Sequence, residues 1–186
     1  MNKKSGHILT RTELSSRAKR IKLLLSDCDG VLTDTGVYYS ELGESLKKFS
    51  IRDGMGVELL RNAGIDCGFL TAETSGSLEK RAEKLLVAHL LLGVKDKYER
   101  VKELTEHLHL KLEEIAYIGD DINDYALISI LKKTSLTSAP NDAMPVIQSE
   151  VHYICRAPGG HGAFREFADW ILELRGQKIH ELMKIM

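Results

Sequence analysis

Residues 21–34 read IKLLLSDCDGVLTD, and the fold turns on that stretch. IKLLLSD is a nearly continuous apolar run, the kind found in a strand covered on both faces of a parallel sheet. It ends on two aspartates two residues apart, Asp27 and Asp29, followed by a glycine. Side chains at that spacing at a strand end project in the same direction. Two carboxylates held so close are costly unless a cation or a proton shares them. Magnesium suits such a place, because it takes oxygen ligands and few of them from protein. Asp-x-Asp-Gly is also ordinary turn chemistry, so the pair takes its meaning from the rest of the chain.

Further along, IDCGFLT (65–71) and IAYIGD (115–120) are buried-strand runs, and AHLLLGV (88–94) holds a shorter one. LTSAP (136–140) and VHYIC (151–155) read as two last strands. Between them, residues 53–64, 75–86, 97–110, 124–133 and 164–176 carry helical spacing, and a short polar helix covers 10–20. Strands alternating with helices predict an α/β fold, a Rossmann-like three-layer sandwich with a mostly parallel sheet. The segment GVYYSELGESLKKFS (36–50) breaks the alternation with two β-rich runs about Gly43, a β-hairpin insertion. The 186 residues suit one domain spanning 1–186, with a hairpin flap at about 36–50 and a tail at about 157–186.

Composition excludes several classes of function. A net charge of -1 gives no global reason to bind nucleic acid or an anionic membrane. Three widely spaced cysteines, Cys28, Cys67 and Cys155, form neither a disulfide framework nor a zinc pair. The basic start has no apolar stretch to make it a signal peptide, and LLVAHLLLGV (85–94) is too short to span a membrane. The expectation is a cytoplasmic protein.

In a parallel sheet, ligands bind at the carboxyl ends of the strands. Those ends carry Asp27 and Asp29, then Thr71, then Asp120 and Asp121 in IGDDIND (118–124), which adds Asn123 and Asp124. A second acidic strand end could merely favour a helix dipole, and Thr71 could merely cap a helix. Lys97, in VKDKYER, could be solvated surface. Two acidic strand ends in one sheet instead make a shared magnesium site, and phosphate beside metal calls for a fixed cation such as Lys97.

These four motifs, in this order, resemble the haloacid dehalogenase superfamily of phosphotransferases. The resemblance implies Asp27 as nucleophile and Asp29 as general acid/base, with Thr71 and Lys97 holding the phosphoryl group. It implies Mg2+ bound by Asp27, the Asp29 carbonyl and Asp120, with Asp121, Asn123 and Asp124 in support. The scheme is physically coherent, because a carboxylate nucleophile divides phosphoryl transfer into two displacements and a metal offsets its repulsion from phosphate. No large cap domain fits between the motifs, so the enzyme is expected to be capless.

From about residue 12 to 176 the chain is similar to the 3-deoxy-D-manno-octulosonate 8-phosphate phosphatases, notably in DGVLTDTGVYYSELGESLKKFSIRDGMGV and RAPGGHGAFRE. The resemblance implies hydrolysis of a sugar-acid phosphate in lipopolysaccharide precursor synthesis. It also implies a homotetramer with the hairpins at its centre. The glycine-rich tail, with Gly160, would reach an adjacent site, and Arg52 would touch substrate. One departure bears on the substrate. The octulosonate enzymes usually follow the threonine with Gly-Arg, whereas this chain has Ala72-Glu73. Glu73, with Lys84 in the run 81–84, resembles relatives acting on nonulosonate 9-phosphates. The eight-carbon substrate is the favoured reading and the nine-carbon one its alternative. A receiver-type signalling domain is the remote alternative, disfavoured because Asp29 supplies the acid that turnover needs and a stable phosphoacceptor lacks.

Overall fold

The computed structural model describes residues 9–183. Its strands are β1 (Leu23–Ser26), β2 (Tyr38–Ser40), β3 (Gly43–Leu46), β4 (Asp66–Leu70), β5 (His89–Leu91), β6 (Ile115–Ile118), β7 (Thr137–Ala139) and β8 (Tyr153–Ile154). Its helices are α1 (Arg11–Arg20), α2 (Ile51–Asn62), α3 (Gly76–Leu85), α4 (Lys97–His107), α5 (Tyr125–Leu131), α6 (Pro145–Gln148), α7 (Ala163–Leu174) and α8 (Ile179–Leu182). Six strands make one parallel sheet in the order β5-β4-β1-β6-β7-β8. The expected α/β sandwich is therefore present, with β1 inside it as its apolar run required.

Alternation along the strands sends side chains to two cores. Leu24, Phe69 and Ile118 join a cluster with α1, α2, α3 and α7. Leu23, Leu25, Leu70 and Tyr117 face α4, α5 and α6. The first layer centres on α7, whose apolar residues lie along α2 and α1. Phe164 is fully buried there and meets Phe69 edge-on, with ring centroids 6.4 Å apart at 84°. The N-terminus of α7 is fixed by Asp53 of α2, whose carboxylate accepts from the Arg165 amide at 2.9 Å.

The hairpin of β2 and β3 stands apart from the main sheet, its two strands forming a ladder of their own. It leaves Tyr38, Tyr39, Leu42 and Leu46 in solvent, Leu42 almost completely. Nothing larger is inserted: β1 leads through the hairpin to α2, and only α3 and β5 separate β4 from α4. The sequence reading missed α6, a single turn started by Pro145, and the short α8. Four residues carry too few apolar repeats to show a period. No helix among the described residues is long and apolar enough to cross a membrane.

Phe164→Ala removes a ring from the tightest part of this layer. Unfolding free energy from urea titration should fall by about 3–5 kcal/mol. An unchanged midpoint would mean that the α2–α7 layer contributes little to stability.

Candidate active site

β1 and β6 are neighbours, so the loops that leave their carboxyl ends meet. After Asp27 the chain turns sharply, with the amides of Val31, Leu32 and Thr33 all donating to the Cys28 carbonyl. Gly30 sits in this turn with φ +92. The Asp120 carboxylate lies against it so closely that a Cβ on Gly30 would stand 1.9 Å from Asp120 Oδ2. Across the cleft, a Cβ on Gly119 would stand 2.4 Å from the Asp124 carboxyl carbon. The glycines of both motifs are thus spaces filled by carboxylates. They bring Asp27, Asp120 and Asp124 together, with one oxygen of each lying within 4.8 Å of the others.

Lys97, the first residue of α4, is buried among them. Its Nζ lies 2.9 Å from Asp27 Oδ1 and 2.6 Å from Asp124 Oδ1. Burial alone would lower its pKa, but the two carboxylates outweigh that and raise it. Asp124 is fully engaged by protein donors. Its Oδ1 accepts from Lys97 and from the Tyr117 hydroxyl at 2.5 Å, and its Oδ2 from the amides of Asp120 at 2.8 Å and Asp121 at 3.3 Å. Asp27 differs. Its Oδ1 accepts from Lys97 and from the Cys28 amide at 2.7 Å, while Oδ2 has no donor among the described residues. Asp120 Oδ1 is buried without a hydrogen-bond partner among the described residues.

Burial, and then the neighbouring carboxylates, push the pKa values of Asp27 and Asp120 well above the usual range. Three buried carboxylates against one lysine leave an excess of negative charge, which only a proton or a cation can relieve. The free oxygens of Asp27 and Asp120 fit a small, hard cation that prefers oxygen ligands, as Mg2+ does. Asp124 has no lone pair left facing it and instead holds Lys97 and the β6 loop in place.

Above the cluster lies a cleft of about 290 Å3, lined by Asp27, Asp29, Thr71, Glu73, Asp120 and Asn123, among others. Thr71 is buried; its Oγ1 accepts from the Glu73 amide at 3.2 Å, so its own proton is free for a ligand oxygen. Asp121, also on the cleft wall, caps the turn after β6 through Ile122. Sequence reasoning missed Lys47 of the hairpin. Its side chain is 1% exposed and its Nζ lies 2.6 Å from Asp29 Oδ1.

The sugar-contact expectations divide. Glu73 lines the cleft, but Lys84 is exposed eight residues into α3, about 12 Å along the axis from the helix end nearest the cleft. It does not line the cleft of its own chain. Arg52 is exposed in the first turn of α2 beside Gly162 and is not part of the cleft lining. Gly160 is buried, and its amide donates to the Val31 carbonyl at 2.9 Å. A Cβ there would meet the Asp34 amide at 2.6 Å. Gly160 therefore braces the loop after Asp29 in its own chain. Within its own chain the described part of the tail packs as α7 and α8 on α2.

The haloacid dehalogenase-like hydrolase family matches residues 91–164, the part that carries Lys97 and the Asp120–Asp124 loop. The 3-deoxy-D-manno-octulosonate 8-phosphate phosphatase of Yersinia pestis is 39% identical over 160 residues, covering 86% of this chain and 84% of the relative. Its crystal structure superposes with a TM-score of 0.81, at 37% identity, covering 89% of this chain and 88% of that one. The corresponding phosphatase of Moraxella catarrhalis, solved with a magnesium ion, a phosphate ion and KDO, gives a TM-score of 0.86. It is 29% identical and covers 94% of this chain and 99% of that one.

The raised carboxylate pKa values fix a sign for metal-free protein. Groups whose folded pKa lies above the unfolded one lose stabilisation as pH rises towards the folded value, about 8 for Asp120. Between pH 6.5 and 8 the Tm without metal should fall. The rise in Tm on adding Mg2+ should be larger at pH 8 than at pH 6.5, because fewer protons compete for these oxygens there. A Mg2+ shift that is equal at both pH values would count against Asp27 and Asp120 as the ligands.

Proposed function

The chain belongs to the 3-deoxy-D-manno-octulosonate 8-phosphate phosphatase family of the haloacid dehalogenase superfamily, and from that premise we propose that it hydrolyses this sugar-acid phosphate to KDO and phosphate. The observation that carries the reading is the carboxylate cluster itself, in which Asp27 keeps one oxygen without a donor beside a buried lysine. Asp27 attacks phosphorus and forms an aspartyl-phosphate. Asp29 gives a proton to the departing sugar oxygen, then takes one from the water that cleaves the intermediate. Thr71 and Lys97 hold the phosphoryl oxygens. Asp27, the Asp29 carbonyl and Asp120 would hold Mg2+, which supplies positive charge opposite the transferring group. Asp121, Asn123 and Asp124 support that site. Without such charge, a cleft walled by Asp27, Asp29, Glu73, Asp120 and Asp121 would repel phosphate.

The apolar hairpin suits self-association, and we take the working form as a homotetramer joined through Tyr38, Tyr39, Leu42 and Leu46. Arg52 and Lys84, away from the cleft of their own chain, would meet substrate only across such an interface. Three free, buried cysteines fit a reducing cytoplasm. The position of Glu73 on the cleft wall keeps the nine-carbon sugar acid as the competing substrate.

Asp27→Asn keeps the size of the side chain but removes its charge. Phosphate release with Mg2+ should drop at least about 100-fold, roughly 2.7 kcal/mol of barrier. Activity within about tenfold of the parent would reject Asp27 as nucleophile. Across octulosonate 8-phosphate, nonulosonate 9-phosphates and hexose phosphates, kcat/KM should be highest for the first. A higher value for the nine-carbon esters would transfer the assignment to them. Tyr39→Glu with Leu42→Glu should lower the sedimenting mass. An unchanged mass would remove the hairpin from the interface.

A further inference from the structure

Lys47 is at odds with its surroundings. The hairpin that carries it is largely exposed, and Lys48 beside it is exposed, yet the Lys47 side chain is covered. Its Nζ sits 2.6 Å from Asp29 Oδ1 and 3.4 Å from Glu44 Oε2. Glu44 in turn accepts from the Ser75 hydroxyl at 2.7 Å. Ser75 is buried at the head of α3, on the loop that follows Thr71. Asp29, Lys47, Glu44 and Ser75 thus form one polar chain that pins the hairpin to both walls of the cleft. Among the described residues the only other donor to the Asp29 carboxyl is Thr33 Oγ1, distant at 3.5 Å and on the same oxygen.

This arrangement bears on which oxygen of Asp29 handles protons. An ammonium group has three donors and no acceptor. It donates best to an unprotonated oxygen, so a proton carried by Asp29 is favoured on Oδ2 over Oδ1. We propose that Lys47 is a positioning residue that fixes the Asp29 carboxyl in one orientation and reserves Oδ2 for proton transfer to the leaving group. The inference rests on the phosphatase reading and adds to it a hairpin residue that sequence reasoning did not single out. In balance, the P–O bond to the leaving oxygen breaks as that oxygen takes the proton from Oδ2. Asp29 is left as a carboxylate that later accepts a proton from water.

A proton donor matters most when the leaving group is a poor one. An unactivated alkoxide needs the proton, and a 4-nitrophenolate barely does. The test measures kcat/KM, which covers the steps up to departure of the leaving group, for the wild type, Lys47→Met and Lys47→Gln with Mg2+. The substrates are 4-nitrophenyl phosphate, phenyl phosphate and octulosonate 8-phosphate. Both variants should lose less than about threefold on the nitrophenyl ester and more than about 30-fold on the sugar ester, with phenyl phosphate between. Ratios between esters on one preparation do not depend on the folded fraction, so partial misfolding cannot imitate this gradient. An equal loss on all three esters, or no loss on any, overturns the role of Lys47 while leaving the phosphatase reading intact. A wild-type chain that hydrolyses none of them overturns both.

Discussion

Three carboxylates and one lysine are buried at the point where the two central strands end, and their charges do not cancel. Removing ions from water is costly, and a surplus of one sign costs more. The surrounding fold is arranged around that cost. Asp124 spends its lone pairs on Lys97, Tyr117 and two loop amides, which locks the lysine and the β6 loop together. Glycines at 30 and 119 remove the side chains that would keep the acids apart. What remains uncompensated is a pair of oxygens on Asp27 and Asp120, which is where a cation is needed. The apolar clusters on either face supply the stability that this corner gives up.

Much of this was legible in the sequence, for physical reasons that differ by element. β1, β4 and β6 are covered on both faces, so their apolar runs are unbroken, and the polar residues that stop them mark the cleft. The hairpin was legible because Gly43, with φ +104, sits where two β-rich runs must reverse. Asp124 stands out in the sequence only as one more acid of the motif, and its engagement by Lys97, Tyr117 and two loop amides appears only in the folded chain. Lys47 and Lys48 are adjacent and chemically identical in sequence. Only the turn of the hairpin buries one and exposes the other. Lys84 lies off the cleft of its own chain for a related reason: a motif places residues along a helix but does not say which end of the helix faces the ligand. At Gly160 the sequence does not show that two stretches of backbone touch there, with no room for a Cβ.

Among the described residues no cap domain is inserted, and the hairpin, which does not line the cleft, is joined to its walls through Lys47 and Glu44. Lys47 on that hairpin sits 2.6 Å from Asp29 Oδ1, so on the proposed role of Asp29 it holds the side chain that moves the proton. Sequence drift that retuned the hairpin for a new sugar would shift the grip on Asp29 as well. In this architecture, selectivity and speed are inherited together. A lineage moving between substrates would therefore pass through slow intermediates, unless the turn could change while the stem that bears Lys47 and Glu44 stayed fixed.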